Sequence, residues 1–167
     1  DLLEYSRVIS NRDLFSECDC NEIIYEAINN LRVLIKESNA KINYAQLPVI
    51  HGNQSQLIRV FQNLIGNGLK FRKENEIPVI DINTKIEGNK WIFSFKDNGI
   101  GIKSGYRDRI FEIFQRLNAR DKYPGTGIGL AMCKKVIENH GGKIWVESEF
   151  GEGSTFYFAI PIEKERD

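Results

Sequence analysis

Cysteine is scarce in this 167-residue chain, occurring only as Cys18, Cys20 and Cys133. An odd count, with two of the three in a Cys-x-Cys pair, speaks against a disulfide framework. No second cysteine pair completes a zinc site, and the two histidines, His51 and His140, lie far from Cys18 and Cys20 in sequence. Reduced, buried thiols are the plainer reading. An excess of either charge is also missing, since 23 Lys plus Arg balance 23 Asp plus Glu. That argues against nucleic acid as a partner, because such surfaces carry a basic surplus. No apolar run approaches the roughly 18 residues that span a membrane, and no signal peptide opens the chain. The expectation is a cytoplasmic domain without direct membrane contact, whatever the attachment of its parent. Repeats and low-complexity tracts are absent as well.

What is present is an ordinary folded composition, 41% hydrophobic and 28% charged, at a length that suits one domain with a real core. "DLLEYSRV" begins abruptly and reads as the last turns of a longer helix, as though the chain were a fragment. A short strand is expected around "FSECDC", then a helix capped by Asn21 and running to about Ser38. "KINYAQLPVIHGN" predicts one or two short strands around Pro48. Asn53, with Gln56 three residues on, makes a variant capping box for a helix whose apolar stripe is Leu57, Val60, Phe61, Leu64 and Ile65. Two hairpins are predicted, "IPVIDINTKI" with "KWIFSFKD" and "KIWVESEF" with "STFYFAIP". Between them "GIGLAMCKKVIENHGG" predicts a helix closed by Gly141 and Gly142. These elements predict an α+β two-layer sandwich: a mixed, mostly antiparallel sheet covered on one face by helices.

Three places carry residues suited to chemistry. Asn63, Asn67 and Lys70 share one face of the capped helix. On spacing alone a solvated face is the simpler account, while the functional one has an amide oxygen on Mg²⁺ and an ammonium on phosphate. Gly66 and Gly68 beside Asn67 each cost the helix about 1 kcal/mol relative to alanine, which suggests that something approaches its backbone. Asp97 ends an apolar strand and enters "NGIGI", either as a turn signature or as a pocket carboxylate. An ionised carboxylate only accepts hydrogen bonds, so it suits the amino group of adenine and repels the carbonyl of guanine. Gly99 and Gly101 would let a base lie against the backbone. "GTGIGL" opens a helix whose free amides suit phosphate, although Gly-x-Gly-x-Gly alone is weak and is neither a Walker A nor a well-placed dinucleotide motif.

Taken in order, "LIRVFQNLIGNGLKF", "DNGIGI", "IFEIFQRL" and "GTGIGLAMCKKVIENHGG" resemble the asparagine, first glycine, phenylalanine and second glycine boxes of the sensor histidine kinase catalytic domain. That domain belongs to the superfamily of gyrase, mismatch-repair and heat-shock chaperone ATPases. The resemblance spans about residues 15 to 162, the closing "IWVESEFGEGSTFYFAIP" included, and its phrasing is similar to the phytochrome-like branch. It implies a Bergerat-type fold over residues 13–167, with residues 1–12 the end of a dimerisation hairpin and an ATP lid at about 103–124.

By the same resemblance, Asn67 would hold Mg²⁺, Asn63 would assist near the phosphates and Lys70 would contact one. Phe71 would line the nucleotide side of the helix, and Asp97 would bind the adenine amino group with Gly99 and Gly101 shaping the pocket. Arg116 would stabilise charge developing on the γ-phosphate, and Gly125, Thr126, Gly127, Gly129 and Leu130 would form the phosphate wall. Phe111 and Phe114 would latch the lid, and Ser154 or Thr155 would reach adenine through water. The implied partners are ATP and ADP, the phosphoacceptor hairpin, a response regulator receiver domain and a second copy of the parent.

Three departures from the family pattern matter. Gly68 stands where alanine is usual, and Asn118 where histidine is common. No phosphoacceptor box occurs, and both histidines are expected to be structural. Hydrolytic relatives carry a glutamate one turn before the magnesium asparagine; here that position is Asn63, which is no base for water. The resemblance therefore favours phosphoryl transfer to histidine over hydrolysis or simple nucleotide binding.

Overall fold

The structure, a computed structural model, describes residues 2–7, 14–112 and 127–162. Its elements run α1 (Leu2–Arg7), β1 (Ser16–Asp19), α2 (Cys20–Asn30), α3 (Arg32–Ser38), β2 (Lys41–Tyr44), β3 (Val49–Gly52), α4 (Gln54–Lys70), β4 (Val79–Glu87), β5 (Lys90–Asp97), α5 (Gly129–Asn139), β6 (Lys143–Glu149) and β7 (Gly153–Pro161). Five strands form one sheet in the order β2-β4-β5-β7-β6; β2 runs parallel to β4 and the other pairs are antiparallel. The expected α+β sandwich is therefore observed. One feature went unforeseen: β1 and β3 pair with each other as a separate two-stranded ribbon.

Period-two alternation sends one set of side chains from each strand toward the helices. Phe93 pairs with Phe158, and Phe95 with Phe156, across the β5–β7 ladder. Phe61 of α4 enters this layer, with ring centroids 6.0 Å from Phe93 and 5.2 Å from Phe95. Ile23, Ile24 and Ala27 of α2 and Cys133, Val136 and Ile137 of α5 complete a fully buried layer. Truncating Phe61 to alanine there costs about 3–5 kcal/mol by lost burial and the cavity left behind. The opposite face bears a solvated row of Asp81, Lys96, Thr155 and Glu147.

On the helix-facing surface the rows stay largely apolar until the sheet's end. Ile82, Phe95, Phe156 and Val146 form one row, and the next is Ile80, Asp97, Ser154 and Ser148. Three adjacent polar residues thus meet in this last row of the inner face.

Local expectations fared unevenly. Asn53 caps α4 by accepting from the Gln56 N–H at 3.2 Å. The reciprocal half of the box is replaced, because the Asn53 N–H donates to His140 Nε2 at 3.0 Å. Nδ1 of His140 lies 2.7 Å from the Val136 carbonyl, and its ring stacks on Phe15 at 4.5 Å. His140 is structural, as expected, and burial pushes its pKa down. The helix expected to run from Asn21 to Ser38 is instead capped by Asp19, whose Oδ1 accepts from the Asn21 N–H, and it breaks at Leu31 between α2 and α3. Asn21 ties α2 to the β2–β3 loop, exchanging hydrogen bonds with the Leu47 backbone in both directions. Cys20 accordingly opens a helix rather than sharing a strand face with Cys18; the three thiols are buried and free. Among the described residues no helix is long and apolar enough to cross a membrane.

Candidate functional site

Asp97 is the last residue of β5 and lies under the final turn of α4, where a Cβ on Gly68 would stand 3.3 Å from its own Cβ. Its Oδ1 accepts from the Gly99 N–H at 2.9 Å and from the Ser154 N–H at 3.3 Å. Both of these donors meet Oδ1, and among the described residues nothing donates to Oδ2. Burial pushes the Asp97 carboxyl above its ordinary value, and the two backbone donors oppose that rise.

The glycines of this segment have reasons that involve no ligand. A Cβ on Gly99 would come 2.5 Å from the Phe71 carbonyl oxygen, which also accepts the Ile100 N–H at 2.9 Å. Gly101 sits at φ +74°, and a Cβ there would collide with the Glu149 carbonyl. The first glycine box is thus clamped between the end of α4 and the β6–β7 turn.

A second wall forms two turns earlier, near the midpoint of α4. Asn63 donates Nδ2 to the Arg59 carbonyl at 3.0 Å, and its Oδ1 lies against Gly129, 2.7 Å from where a Cβ would be. Gly129 opens α5, which has no side-chain cap, and Gly127 just before it adopts φ +75°. Uncapped helix amides are donors that an anion can use. Eight residues of α4, about 12 Å at 1.5 Å per residue, separate Asn63 at this wall from Phe71 at the first. Asn67 and Lys70 lie between them, half-buried, with Lys70 Nζ 5.1 Å over the Phe71 ring.

The structure therefore brings Asn63 to Gly129 and Phe71 to Gly99, on one helix. Leu130, half-buried, follows in the first turn of α5. Arg116, Phe114, Asn118, Gly125 and Thr126 lie outside the described residues, as does the lid beyond residue 112. In the described part of the expected lid, residues 103–109 are exposed, while Ile110 is buried and Phe111 packs edge-on to Phe156 at 6.3 Å. What approaches Gly68 is the sheet itself, Ile80 and Asp97, whereas among the described residues nothing lies within 4 Å of a Cβ on Gly66. Of the two hydroxyl candidates, Ser154 stands on the face of Asp97, and Thr155 lies on the solvated row.

Two contributors escaped sequence reasoning. Asn98 accepts from the Val79 N–H at 2.8 Å and donates to the Ile77 carbonyl at 3.0 Å, tying the glycine box to the start of β4. Buried Ser148 holds the Ile102 N–H; only its place in the inward alternation of β6 would have pointed to it.

Among the described residues no group of three His, Cys, Asp or Glu could hold a metal. A divalent cation at α4 would take the Asn67 amide oxygen and draw its remaining oxygens from a ligand and water, a donor set that suits magnesium.

Comparison with known proteins agrees with this arrangement. The family model for histidine kinase-, DNA gyrase B-, and HSP90-like ATPases matches residues 52–164. Cyanobacterial phytochrome A of Nostoc sp. (strain PCC 7120) is 49% identical over 169 residues, covering 99% of this chain; the chain spans only 22% of that relative's length. The nucleotide-free catalytic domain of histidine kinase ThkA superposes with a TM-score of 0.72 at 30% identity, over 88% of this chain and 95% of that one. Full-length ShkA in complex with AMPPNP gives a TM-score of 0.80 at 26% identity, over 99% of this chain and 35% of that one.

Proposed function

Because this chain belongs to the family of histidine kinase-, DNA gyrase B- and HSP90-like ATPases, we propose that it binds Mg-ATP and gives the γ-phosphoryl group to a histidine on a separate dimerisation hairpin. It would act as the catalytic module of a two-component sensor histidine kinase, with residues 1–12 the end of that hairpin. A receiver domain would take the phosphoryl group next, and the parent would be a dimer whose catalytic part is cytoplasmic.

The observation that carries this reading is Asn63. It sits one helical turn before Asn67, at the mouth of α5, where a hydrolytic enzyme needs a base to activate water. An amide that donates to the Arg59 carbonyl and turns its oxygen to Gly129 cannot take that proton. It can still order a phosphate region, which suits transfer to an acceptor from outside.

In this reading Asp97 Oδ2 accepts the adenine amino hydrogens, and Phe71 lines the base. The amides at Gly127, Gly129 and Leu130 meet phosphate oxygens, with Lys70 supplying positive charge. Gly125 and Thr126 extend that wall. Asn67 would hold Mg²⁺, which when bound neutralises charge on the phosphates. The lone pair of the acceptor imidazole nitrogen forms the P–N bond as the bond from the γ-phosphorus to the β,γ-bridging oxygen breaks. ADP leaves with that electron pair, and the imidazole releases its proton. Arg116 would meet the charge that develops during transfer, since positioning and charge stabilisation supply most of the catalysis in such reactions.

The test mixes this chain with a hairpin fragment bearing the acceptor histidine and γ-labelled ATP. Acid-labile, alkali-stable label on the hairpin is expected. Label released only as free phosphate would support a hydrolytic ATPase, and tight binding with neither product would support a nucleotide-binding module. Arg116→Ala should lower transfer far more than it lowers ADP affinity; equal losses would make Arg116 structural.

A further inference from the structure

The last row of the inner sheet face places two buried hydroxyls beside the Asp97 carboxylate. Ser154 and Ser148 are 7% and 9% exposed, and their oxygens are 2.8 Å apart. Ser148 Oγ donates to the Gly153 carbonyl at 2.9 Å and accepts from the Ile102 N–H at 2.8 Å. A hydroxyl has one hydrogen to give and two lone pairs to offer. With its hydrogen on Gly153, Ser148 must receive the Ser154 hydrogen as well as that of Ile102, so all its positions are filled. At the other end of the row the Ser154 N–H reaches Asp97 Oδ1.

Ile102 is where the first glycine box hands over to the lid. The chain is held against β6 and the β6–β7 turn on both sides of this residue. The Ile100 carbonyl accepts from the Gly151 N–H at 2.7 Å, Gly101 packs on the Glu149 carbonyl, and Arg107 donates to the Ser148 carbonyl. Lys103 follows with its ammonium 5.0 Å over the Phe150 ring. Ser148 thus binds the lid root twice, through its hydroxyl and through its carbonyl.

We propose that Ser148 is a positioning residue that registers the root of the lid against the base-recognition carboxylate. Asp97, Ser154, Ser148 and Ile102 form one hydrogen-bonded line, so a base seated on Asp97 and the chain leaving Ile102 hold fixed relative places. The proposal rests on the reading of this site as a nucleotide site. A serine that merely satisfied the turn would matter to stability alone; a registering serine matters to the placement of whatever the lid carries.

The experiment compares the wild-type chain with Ser148→Ala and the hydroxyl-retaining Ser148→Thr. Amide hydrogen exchange at Ile102 should rise about tenfold in the alanine variant, the loss expected of one buried hydrogen bond. In transfer to the acceptor hairpin, kcat should fall by about the same factor with KM for ATP within about twofold, and Ser148→Thr should recover both readouts. Unchanged exchange at Ile102, or equal falls in kcat, ATP affinity and melting temperature without recovery in Ser148→Thr, would overturn the proposal. If Ser148→Ala does not fold, the wild type decides: Ile102 should exchange more slowly than Lys103, and equal exchange would overturn the anchor. A wild-type chain that does not bind ATP refutes the nucleotide reading instead, and the exchange pattern then still tests the anchor by itself.

Discussion

The two glycine-rich segments, 97–102 and 127–130, form their walls by opposite means. In the first, the protein itself occupies the space that each side chain would need. Gly99 lies under the Phe71 carbonyl and Gly101 against that of Glu149, while Asp97 is tied by two backbone donors. In the second, Gly129 faces, among the described residues, only the end of the Asn63 side chain, at the start of a helix without a side-chain cap. One wall is built before any ligand arrives; the other offers donors that a ligand would complete. Recognition of a rigid, neutral base suits the first kind of wall, and binding of a mobile, charged phosphate chain suits the second.

Breaking the comparison begins with the largest effect. Gly101→Ala forces an L side chain into the left-handed region and into the Glu149 carbonyl. It should cost about 2–4 kcal/mol of stability in a denaturant titration, from strain and overpacking together. Next, Asp97→Asn should weaken adenine nucleotides about 10–100-fold, the range for a charge-assisted hydrogen bond, measured by calorimetry with ADP. Equal binding by the variant would refute base recognition. Third, Gly129→Ala meets a side-chain oxygen that can move, so stability should stay within about 0.5 kcal/mol of wild type. ATP affinity should still fall several-fold, with adenosine unaffected. Smallest, Gly66→Ala meets nothing among the described residues, in the last turns of α4, and should stabilise by about 0.5–1 kcal/mol. A loss of nucleotide affinity in that variant would show that a ligand approaches the helix at Gly66.

The first wall also carries a pH dependence. Burial raises the folded pKa of Asp97, so between the unfolded and folded values the native state binds more protons than the unfolded chain. Stability then falls as pH rises through that window, the reverse of a salt-bridged carboxylate. Asp97→Asn should flatten this part of the stability profile. Adenosine binding by the wild type should weaken on acidification through the raised value, since the charged acceptor is present only above it. A profile identical in wild type and variant would contradict this.

Much of the fold was legible because its signals are local. The two hairpins, now β4–β5 and β6–β7, followed from short strand runs around tight turns, and the Asn53 cap marked the start of α4. What stayed hidden depends on distant segments. The replacement of Gln56 by His140 at the cap, the parallel pairing of β2 with β4, and the separate β1–β3 ribbon join residues far apart in sequence. Asp19 was passed over as a cap because Asn21, two residues later, is an equally good candidate by type. At the site, Asp97 and the Asn63–Asn67–Lys70 face stood out by residue type and spacing, whereas Ser148 is one polar residue in an alternating strand. The reason for Gly68 was also hidden, since Ile80 and Asp97 reach it only through the folded sheet.

The central claim is that one adenine nucleotide spans both walls. It is tested most directly by following backbone amide resonances while a non-hydrolysable ATP analogue is titrated with magnesium. Gly99, Gly101 and Ser154 should shift together with Gly129 and Leu130, all fitting one dissociation constant, and adenosine should move only the first group. Shifts confined to one wall at saturating analogue, or two groups fitting different constants, would contradict the claim.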